Sequence, residues 1–161
     1  MASRQFIDPL VALRAAPLVS ATCSLWFAWD QHFFLRLLNQ PGTRETSKAM
    51  LPTYFPSFFE RATPYVIGLL AATIGTSIAN LYVQPASQSI HWYKAGATFA
   101  FGHFLFVPMI APSVKDIYDQ NGDHNDNLDR WLRVNAIRGI TVDLAAWATL
   151  AIAVSKVFGG V

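Results

Sequence analysis

Four long apolar stretches dominate this sequence and restrict the folds open to it. They run over about residues 12–36, 63–83, 91–111 and 134–157, and an α-helix needs roughly 20 such residues to cross about 30 Å of hydrocarbon. Only 14% of the residues are charged, against about 25% in a typical soluble domain. A soluble bundle would need charged outer faces at helical spacing, which "VIGLLAATIGTSIANLYV" lacks. The sequence therefore predicts an all-α, integral membrane antiparallel four-helix bundle, with residues 1–161 as a single transmembrane domain.

The distribution of charge predicts how this domain lies in the membrane. The N-terminus is not typical of a signal peptide, because Asp8 and Arg14 interrupt its apolar part. Eight basic residues lie in or beside the first and third connections and four on the other side, which places those two connections in the cytosol. We expect the endoplasmic reticulum or a related endomembrane. The net charge of +2 gives no reason to expect nucleic acid.

The connections and small residues predict how the spans pack. The first connection, residues 39–64, holds four prolines and several aromatics, so we expect a structured loop at the membrane interface. The second is short, so the second and third spans should be antiparallel neighbours. Two stripes of small residues predict seams of close helix packing. They are Gly68, Ala72, Gly75 and Ala79 on the second span, and Gly96, Ala100 and His103 on the third.

The most polar stretch, "DQNGDHNDNLDRWLRVNAIRG", covers residues 119–139. Its alternating Asp and Asn resemble the start of a calcium loop, but that loop requires Gly at its sixth position and Glu at its twelfth. His124 and Arg130 occupy those positions. The stretch is therefore interpreted as a solvated loop, followed by a helix that Asn125 or Asn127 would cap.

His103, Arg138 and Asp143 are the ionisable residues of the third and fourth spans that matter most here, because such groups are costly inside a membrane and indicate a functional site by default. Arg138 and Asp143 are five residues apart, about 140° around an α-helix, so each should find its partner on another helix. His103 lies near the middle of the third span. Two interpretations remain open for these residues: they pair only to pack the bundle, or His103 is a neutral base.

Several other residues are candidates for binding roles. Trp26 and Asp30 fall near one face of the first span, and His32 and Arg36 should extend to the interface. Asn80 could serve packing or binding. Haem is not expected, because no second His lies at the depth of His103. The sequence also lacks metal-protease, nucleotide and hydrolase motifs.

The order of these features is similar to that of a family of small integral membrane proteins that includes the fungal anthrone oxygenases. The similarity rests on "FLFVPMIAPSVKDIYD" and "LDRWLRVNAIRG", and covers about residues 60–155. In that family a Trp, an Asn and an Arg enter the last helix, here Trp131, Asn135 and Arg138. Met109 follows Pro108 where the family has a small hydroxyl residue, and Ser113 and Val114 stand near its Thr-Asn pair.

The resemblance implies cofactor-independent oxidation of a lipophilic polycyclic metabolite by O2 after a proton is removed. His103 or Asp143 would be the base, with Arg138 and Asn135 as donors to the developing oxyanion. The residues expected to bind the substrate are Trp26, Asp30, Asn80 and Trp131. The expected partners are this small molecule and membrane lipid, with a homo-oligomer left open. A cofactor-free cyclase or isomerase, or a non-enzymatic membrane scaffold, are the alternatives.

Overall fold

The computed structural model describes residues 8–83 and 88–159, and they form a helical bundle. Its helices are α1 (Pro9–Asn39), α2 (Arg44–Lys48), α3 (Leu51–Val83), α4 (Ile90–Tyr118) and α5 (His124–Phe158). Contacts join α1 to α3, α3 to α4, α4 to α5, and α5 back to α1. All but α2 are long and apolar enough to cross a membrane. The predicted all-α bundle is confirmed.

The long helices extend beyond the predicted spans. They contain 29 to 35 residues, which at 1.5 Å per residue gives about 43–53 Å, more than the roughly 30 Å of hydrocarbon. The predicted interfacial loop over residues 39–64 is wrong in its second half, because α3 already begins at Leu51. Pro56 and Pro64 lie inside α3, as membrane helices tolerate when neighbouring groups satisfy the freed carbonyls. Burial of Phe55 in the core fixes this segment as helix.

Residues 123–129 of the polar stretch contact the first connection, while residues 119–122 are exposed. Arg44 forms ion pairs with Asp126 and Asp129, and Lys48 with Asp123. Buried Asn125 donates to Asn39 Oδ1 at 2.8 Å. Both connections therefore close the same end of the bundle, which we call the loop end.

Asp123 is the N-cap of α5, so the predicted caps Asn125 and Asn127 were wrong. Its carboxylate accepts hydrogen bonds from the backbone N–H groups of Asn125 and Asp126 at 2.9 and 3.2 Å. The hydrogen bond from Lys48, followed by that from the Asp126 N–H, lowers the pKa of Asp123. The same contact raises the pKa of Lys48. The interpretation of a solvated loop is therefore corrected for Asp123, because the helix start needs an acceptor there.

Only one of the two predicted small-residue seams packs against a helix. A Cβ added to Gly96 would lie 2.5 Å from Leu150 Cδ2, so Gly96 lets α4 approach α5 closely. On α3, by contrast, no neighbouring described atom lies within 4 Å of a Cβ built on Gly68 or Gly75. The stripe on α3 faces outward, and its predicted packing role was wrong.

Candidate active site

Three buried side chains form a closed hydrogen-bonded group in the middle of the bundle. Arg138 Nε donates to Asp143 Oδ2 at 3.1 Å, and Arg138 Nη1 lies 3.1 Å from His103 Nε2. His103 Nδ1 lies 3.1 Å from Asp143 Oδ1. These residues are almost fully buried: the exposed fraction is 7% for His103, 7% for Arg138 and 6% for Asp143. We call them the buried triad.

The contacts determine how protons are distributed in the buried triad. Arg138 can only donate, so His103 Nε2 must accept and its Nδ1 must carry the proton that it donates to Asp143. The group is then a guanidinium, a carboxylate and a neutral imidazole, whose charges sum to zero. A compensated, fully hydrogen-bonded group of this kind is the form in which charges are tolerated at low dielectric. It also means that Arg138 occupies the lone pair through which His103 would act as a base.

A π-helical turn over Gly139–Asp143 brings Arg138 and Asp143 together. Leu144 N–H donates to Gly139 O, five residues back, in place of the usual four. This wider turn places residues five apart on one face. The expectation that Arg138 and Asp143 are poor partners for one another assumed regular α-helix, and it was wrong for that reason. The expectation that each has a partner on another helix is confirmed, because His103 contacts both.

A second irregularity positions His103 on α4. His103–Phe106 form a 3₁₀ turn just before Pro108. Pro108 has no N–H to donate to the carbonyl of Phe104, and that carbonyl instead accepts from Val107 N–H. Both helices thus depart from α geometry at the residues that build the buried triad.

An apolar groove of about 530 Å³ lies between α1 and α5, and its residue Gly139 directly follows Arg138 of the buried triad in the chain. Its walls are mainly aromatic and aliphatic, and Trp147 Nε1 donates to Thr22 Oγ1 across it at 3.0 Å. We call it the α1/α5 groove. Its lining residues are Thr22, Leu25, Trp26, Ala28, Trp29 and His32 of α1, and Asn135, Ala136, Gly139, Ile140, Leu144 and Trp147 of α5.

The structure brings some of the predicted site residues to this groove. Trp26 forms part of its wall and is 67% exposed. Asn135 is buried at its edge, where its Nδ2 lies 3.5 Å from Ala28 O. Arg138 lies between the groove residues Asn135 and Gly139 in sequence, but its side chain turns inward to the buried triad. Asp30 is partly exposed and is not among the groove residues.

Trp131 lies in a separate core at the loop end. It is 3% exposed and contacts Phe55 edge to face, with ring centroids 5.6 Å apart. Leu35, Leu51, Ile117, Leu128 and Leu132 complete this cluster. Trp131, which was expected from the sequence to bind the substrate, thus packs inside the bundle and is not among the residues of the α1/α5 groove.

Asn80 completes the backbone hydrogen bonding of α1. Its Nδ2 donates to Leu13 O at 2.9 Å. That carbonyl lacks its helical donor, because residue 17 is a buried proline without an N–H. Leu13, the residue that Asn80 contacts, is about three turns along α1 from Ser24, which lines a small interior space together with Asp143. The structure thus places Asn80 away from the buried triad and assigns it a structural contact.

Sequence reasoning missed His32, Trp29 and Gly139 as groove residues. His32 was expected to extend to the interface, but its Nδ1 is buried without a hydrogen-bond partner among the described residues. The spacing of Trp26, Trp29 and His32 by three residues was the available signal, since it places them along one side of α1. Within residues 8–83 and 88–159, no three His, Cys, Asp or Glu side chains are grouped to hold a metal ion.

Comparison with known proteins relates the chain to fungal biosynthetic proteins. It is 27% identical over 154 residues to the epoxidase pydX of Acremonium sp, covering 92% of this chain and 95% of that protein. It is 28% identical over 148 residues to the epoxidase gkaX of Penicillium citrinum, covering 84% and 88%. It is also 26% identical over 149 residues to the oxaleimides biosynthesis cluster protein N of Penicillium oxalicum. No family model and no solved structure matches.

The chain is thus homologous to these fungal proteins over most of its length. This agrees with the broader part of the resemblance inferred from its motifs, a small fungal protein with four membrane helices. Two of these three relatives are named epoxidases, and none of the three is named an anthrone oxygenase.

Proposed function

We propose that this chain is an integral membrane enzyme of fungal secondary metabolism that epoxidises a carbon–carbon double bond of a lipophilic metabolite. The observation that carries the proposal is the buried triad, whose Arg138 is directly followed in the chain by the groove residue Gly139, in a chain homologous to two proteins named epoxidases. Groups of this kind within a membrane bundle are costly to maintain and mark functional sites by default. A scaffold protein would need only apolar packing at the same positions.

The α1/α5 groove is the proposed substrate site. Its volume of about 530 Å³ falls within the roughly 300–1,000 Å³ of small-molecule pockets. Trp26, Trp29 and Trp147 supply flat apolar walls for a planar or elongated molecule. The groove lies on the outside of α1 and α5, so a substrate dissolved in the bilayer enters laterally. Asn135 and His32 supply the polar contacts at its edges.

The buried triad is the proposed acid–base group. Substrate binding draws the Arg138 guanidinium toward the groove, where it donates to a substrate oxygen on which negative charge develops. This movement frees Nε2 of His103 to accept a proton, while Asp143 holds the imidazole through Nδ1. His103 thus becomes a base only when Arg138 moves away from its Nε2 lone pair. Electrostatic donors of this kind typically contribute about 10²–10³ in turnover.

The oxygen balance of the reaction is simple. One atom of O2 joins the two alkene carbons as the epoxide, and the other is inserted into an acidic C–H bond of the same substrate, which becomes C–OH. The two electrons of that C–H bond reduce the second oxygen atom, and the proton that His103 removes returns to the new alkoxide. No external reductant is then needed, in keeping with the cofactor-free chemistry that the anthrone-type resemblance implies.

Complementation tests the proposal. This chain is expressed in an Acremonium strain that lacks pydX and in a Penicillium citrinum strain that lacks gkaX. We expect the epoxide to return in at least one strain, measured by mass spectrometry of the extracted metabolites. If the alkene accumulates in both while the chain is present in the membrane fraction, the proposal is wrong. An isomer of the alkene without added oxygen would instead assign a cyclase or isomerase activity.

A further inference from the structure

A second cavity lies on another face of the bundle, between α1 and the first half of α3. It has a volume of about 480 Å³ and is open to the outside. We call it the α1/α3 cleft. It shares no residue with the α1/α5 groove, and its lining residues are Phe27, Tyr54, Ser57, Phe58, Arg61, Ala62 and Tyr65.

The cleft is built by one face of α3. Tyr54, Phe58, Arg61 and Tyr65 are spaced four, three and four residues apart, which aligns them along the helix. Tyr54 and Phe58 stack with ring centroids 6.5 Å apart, and Tyr65 meets Phe27 of α1 at 6.3 Å. The cleft is therefore lined by aromatic rings and by one cationic side chain, that of Arg61.

Arg61 is exposed and has no ionic partner among the described residues. Arg44 and Arg138, by comparison, each pair with a carboxylate. The acidic neighbour of Arg61, Glu60, accepts a hydrogen bond from Tyr118 instead and does not line the cleft. The cleft therefore presents an uncompensated positive charge.

The position of Arg61 along α3 places this charge near the membrane surface. Arg61 is ten residues after Leu51, about 15 Å along the helix. Centring α3, about 50 Å long, on a roughly 30 Å hydrocarbon layer leaves Arg61 about 5 Å inside the hydrocarbon boundary. An Arg at that depth extends its guanidinium to the level of the lipid phosphates. The cleft also opens at the loop end, which holds most of the basic residues.

We propose that the α1/α3 cleft binds one anionic phospholipid. The guanidinium of Arg61 holds the phosphate and the acidic headgroup, with the hydroxyl of Tyr54 as a further donor. The acyl chains lie along Phe27 and Phe58. A zwitterionic lipid such as phosphatidylcholine fits less well, because it has no net negative charge to pair with Arg61. The site is independent of the proposed epoxidation.

Native mass spectrometry of the purified full-length chain tests this site, with phosphatidylserine and phosphatidylcholine offered in detergent. We expect phosphatidylserine to be retained preferentially, and Arg61→Gln to weaken its binding about fivefold, the effect of one basic residue at a lipid surface. Arg133→Gln is the matched control, because Arg133 is an exposed arginine near the same end and outside the cleft. It should leave binding unchanged.

A second variant tests the cleft by volume rather than charge. Ser57 is exposed and lines the cleft, so Ser57→Trp should fill it and displace phosphatidylserine without disturbing the core. Equal retention of phosphatidylserine by wild type, Arg61→Gln and Ser57→Trp would overturn the proposal. So would binding of glycerol phosphate that phosphatidylserine does not displace, since the site would then recognise a soluble phosphate.

Discussion

Arg138 Nε lies 3.1 Å from Asp143 Oδ2, and both residues are on α5, five positions apart. The π-helical turn between them holds this ion pair within one helix. His103, from α4, closes the hydrogen-bonded ring on the other side. The geometry thus joins an ion pair within one helix to an imidazole from a second helix, and Arg138 Nη1 lies on the Nε2 lone pair of that imidazole.

Removing the charge of Arg138 should destabilise the bundle. Arg138→Gln leaves the Asp143 carboxylate buried without its ion partner, which typically costs about 3–5 kcal/mol. Thermal unfolding of the detergent-solubilised protein measures the loss. The triple variant His103→Phe, Arg138→Met and Asp143→Leu should recover most of it, because an apolar group of similar volume needs no partner. A triple variant as unstable as Arg138→Gln would contradict this description of the triad.

Filling the α1/α5 groove should block turnover without unfolding the protein. A Cβ added to Gly139 meets no neighbouring atom within 4 Å, and Gly139 lines the groove. Gly139→Leu should therefore reduce epoxide formation in the complemented fungal strain at an unchanged protein level. Gly75→Leu is the matched control, because a Cβ at Gly75 is equally free and lies outside the groove. Equal activity in the two variants would place the substrate elsewhere.

Substitutions of Trp131 and Trp26 should have different effects, the first on stability and the second on substrate binding. Trp131 is 3% exposed in the loop-end core, so Trp131→Ala should destabilise the protein by about 3–5 kcal/mol and leave turnover per folded molecule intact. Trp26, in the groove wall, should show the reverse: Trp26→Ala weakens substrate binding with little effect on unfolding. Unfolding scans and turnover at varied substrate concentration distinguish the two. A binding defect in folded Trp131→Ala would restore the substrate role first expected for Trp131.

The contribution of Asn80 to the free energy of unfolding should depend on the proline at residue 17. Asn80→Leu leaves the Leu13 carbonyl unsatisfied, a loss of about 1–3 kcal/mol. In a Pro17→Ala background the new N–H of residue 17 can donate to Leu13 O, so the same Asn80 substitution should cost much less. The four unfolding free energies of this double-mutant cycle provide the test. Equal losses in both backgrounds would show that Asn80 has another role.

The general fold could be predicted from the sequence, while the pairing within the site could not. Hydropathy locates helices such as α4 because a membrane span must be apolar and helical. The intramembrane positions of His103, Arg138 and Asp143 also identified them as site candidates. Their pairing depends on a π turn and a 3₁₀ turn, and hydrophobic periodicity contains no information on such local changes of helical pitch. Pro108 accounts for the 3₁₀ turn only after the structure shows which backbone N–H donates to the carbonyl of Phe104.

The contacts at the loop end could not be predicted from the sequence either. Long-range pairs such as Arg44 with Asp129 and Lys48 with Asp123 join residues 75 to 85 positions apart. No local pattern in the sequence specifies such pairs. They could be found only after the helices had brought the two connections together.

The Lys48–Asp123 pair should make stability depend on pH in the acid range. The pKa of Asp123 is lowered in the folded protein, mainly by the hydrogen bond from Lys48, from a usual value of 3.8. Its stabilising contribution is therefore present above 3.8 and lost as the pH falls through the folded value. Lys48→Met should flatten this acid limb in unfolding scans over a pH series. Lys115→Met, at an exposed lysine of the same end, should not. An unchanged acid limb in Lys48→Met would refute the assignment.

The central claim is that the buried triad takes part in oxygen transfer. Membranes from the complemented fungal strain are incubated with the alkene under isotopically labelled dioxygen, using wild type and the triple variant His103→Phe, Arg138→Met, Asp143→Leu at equal folded protein. We predict that wild type places one labelled oxygen atom in the epoxide and that the triple variant forms none above the strain without the chain. Labelled epoxide at wild-type rate from the triple variant would contradict the account.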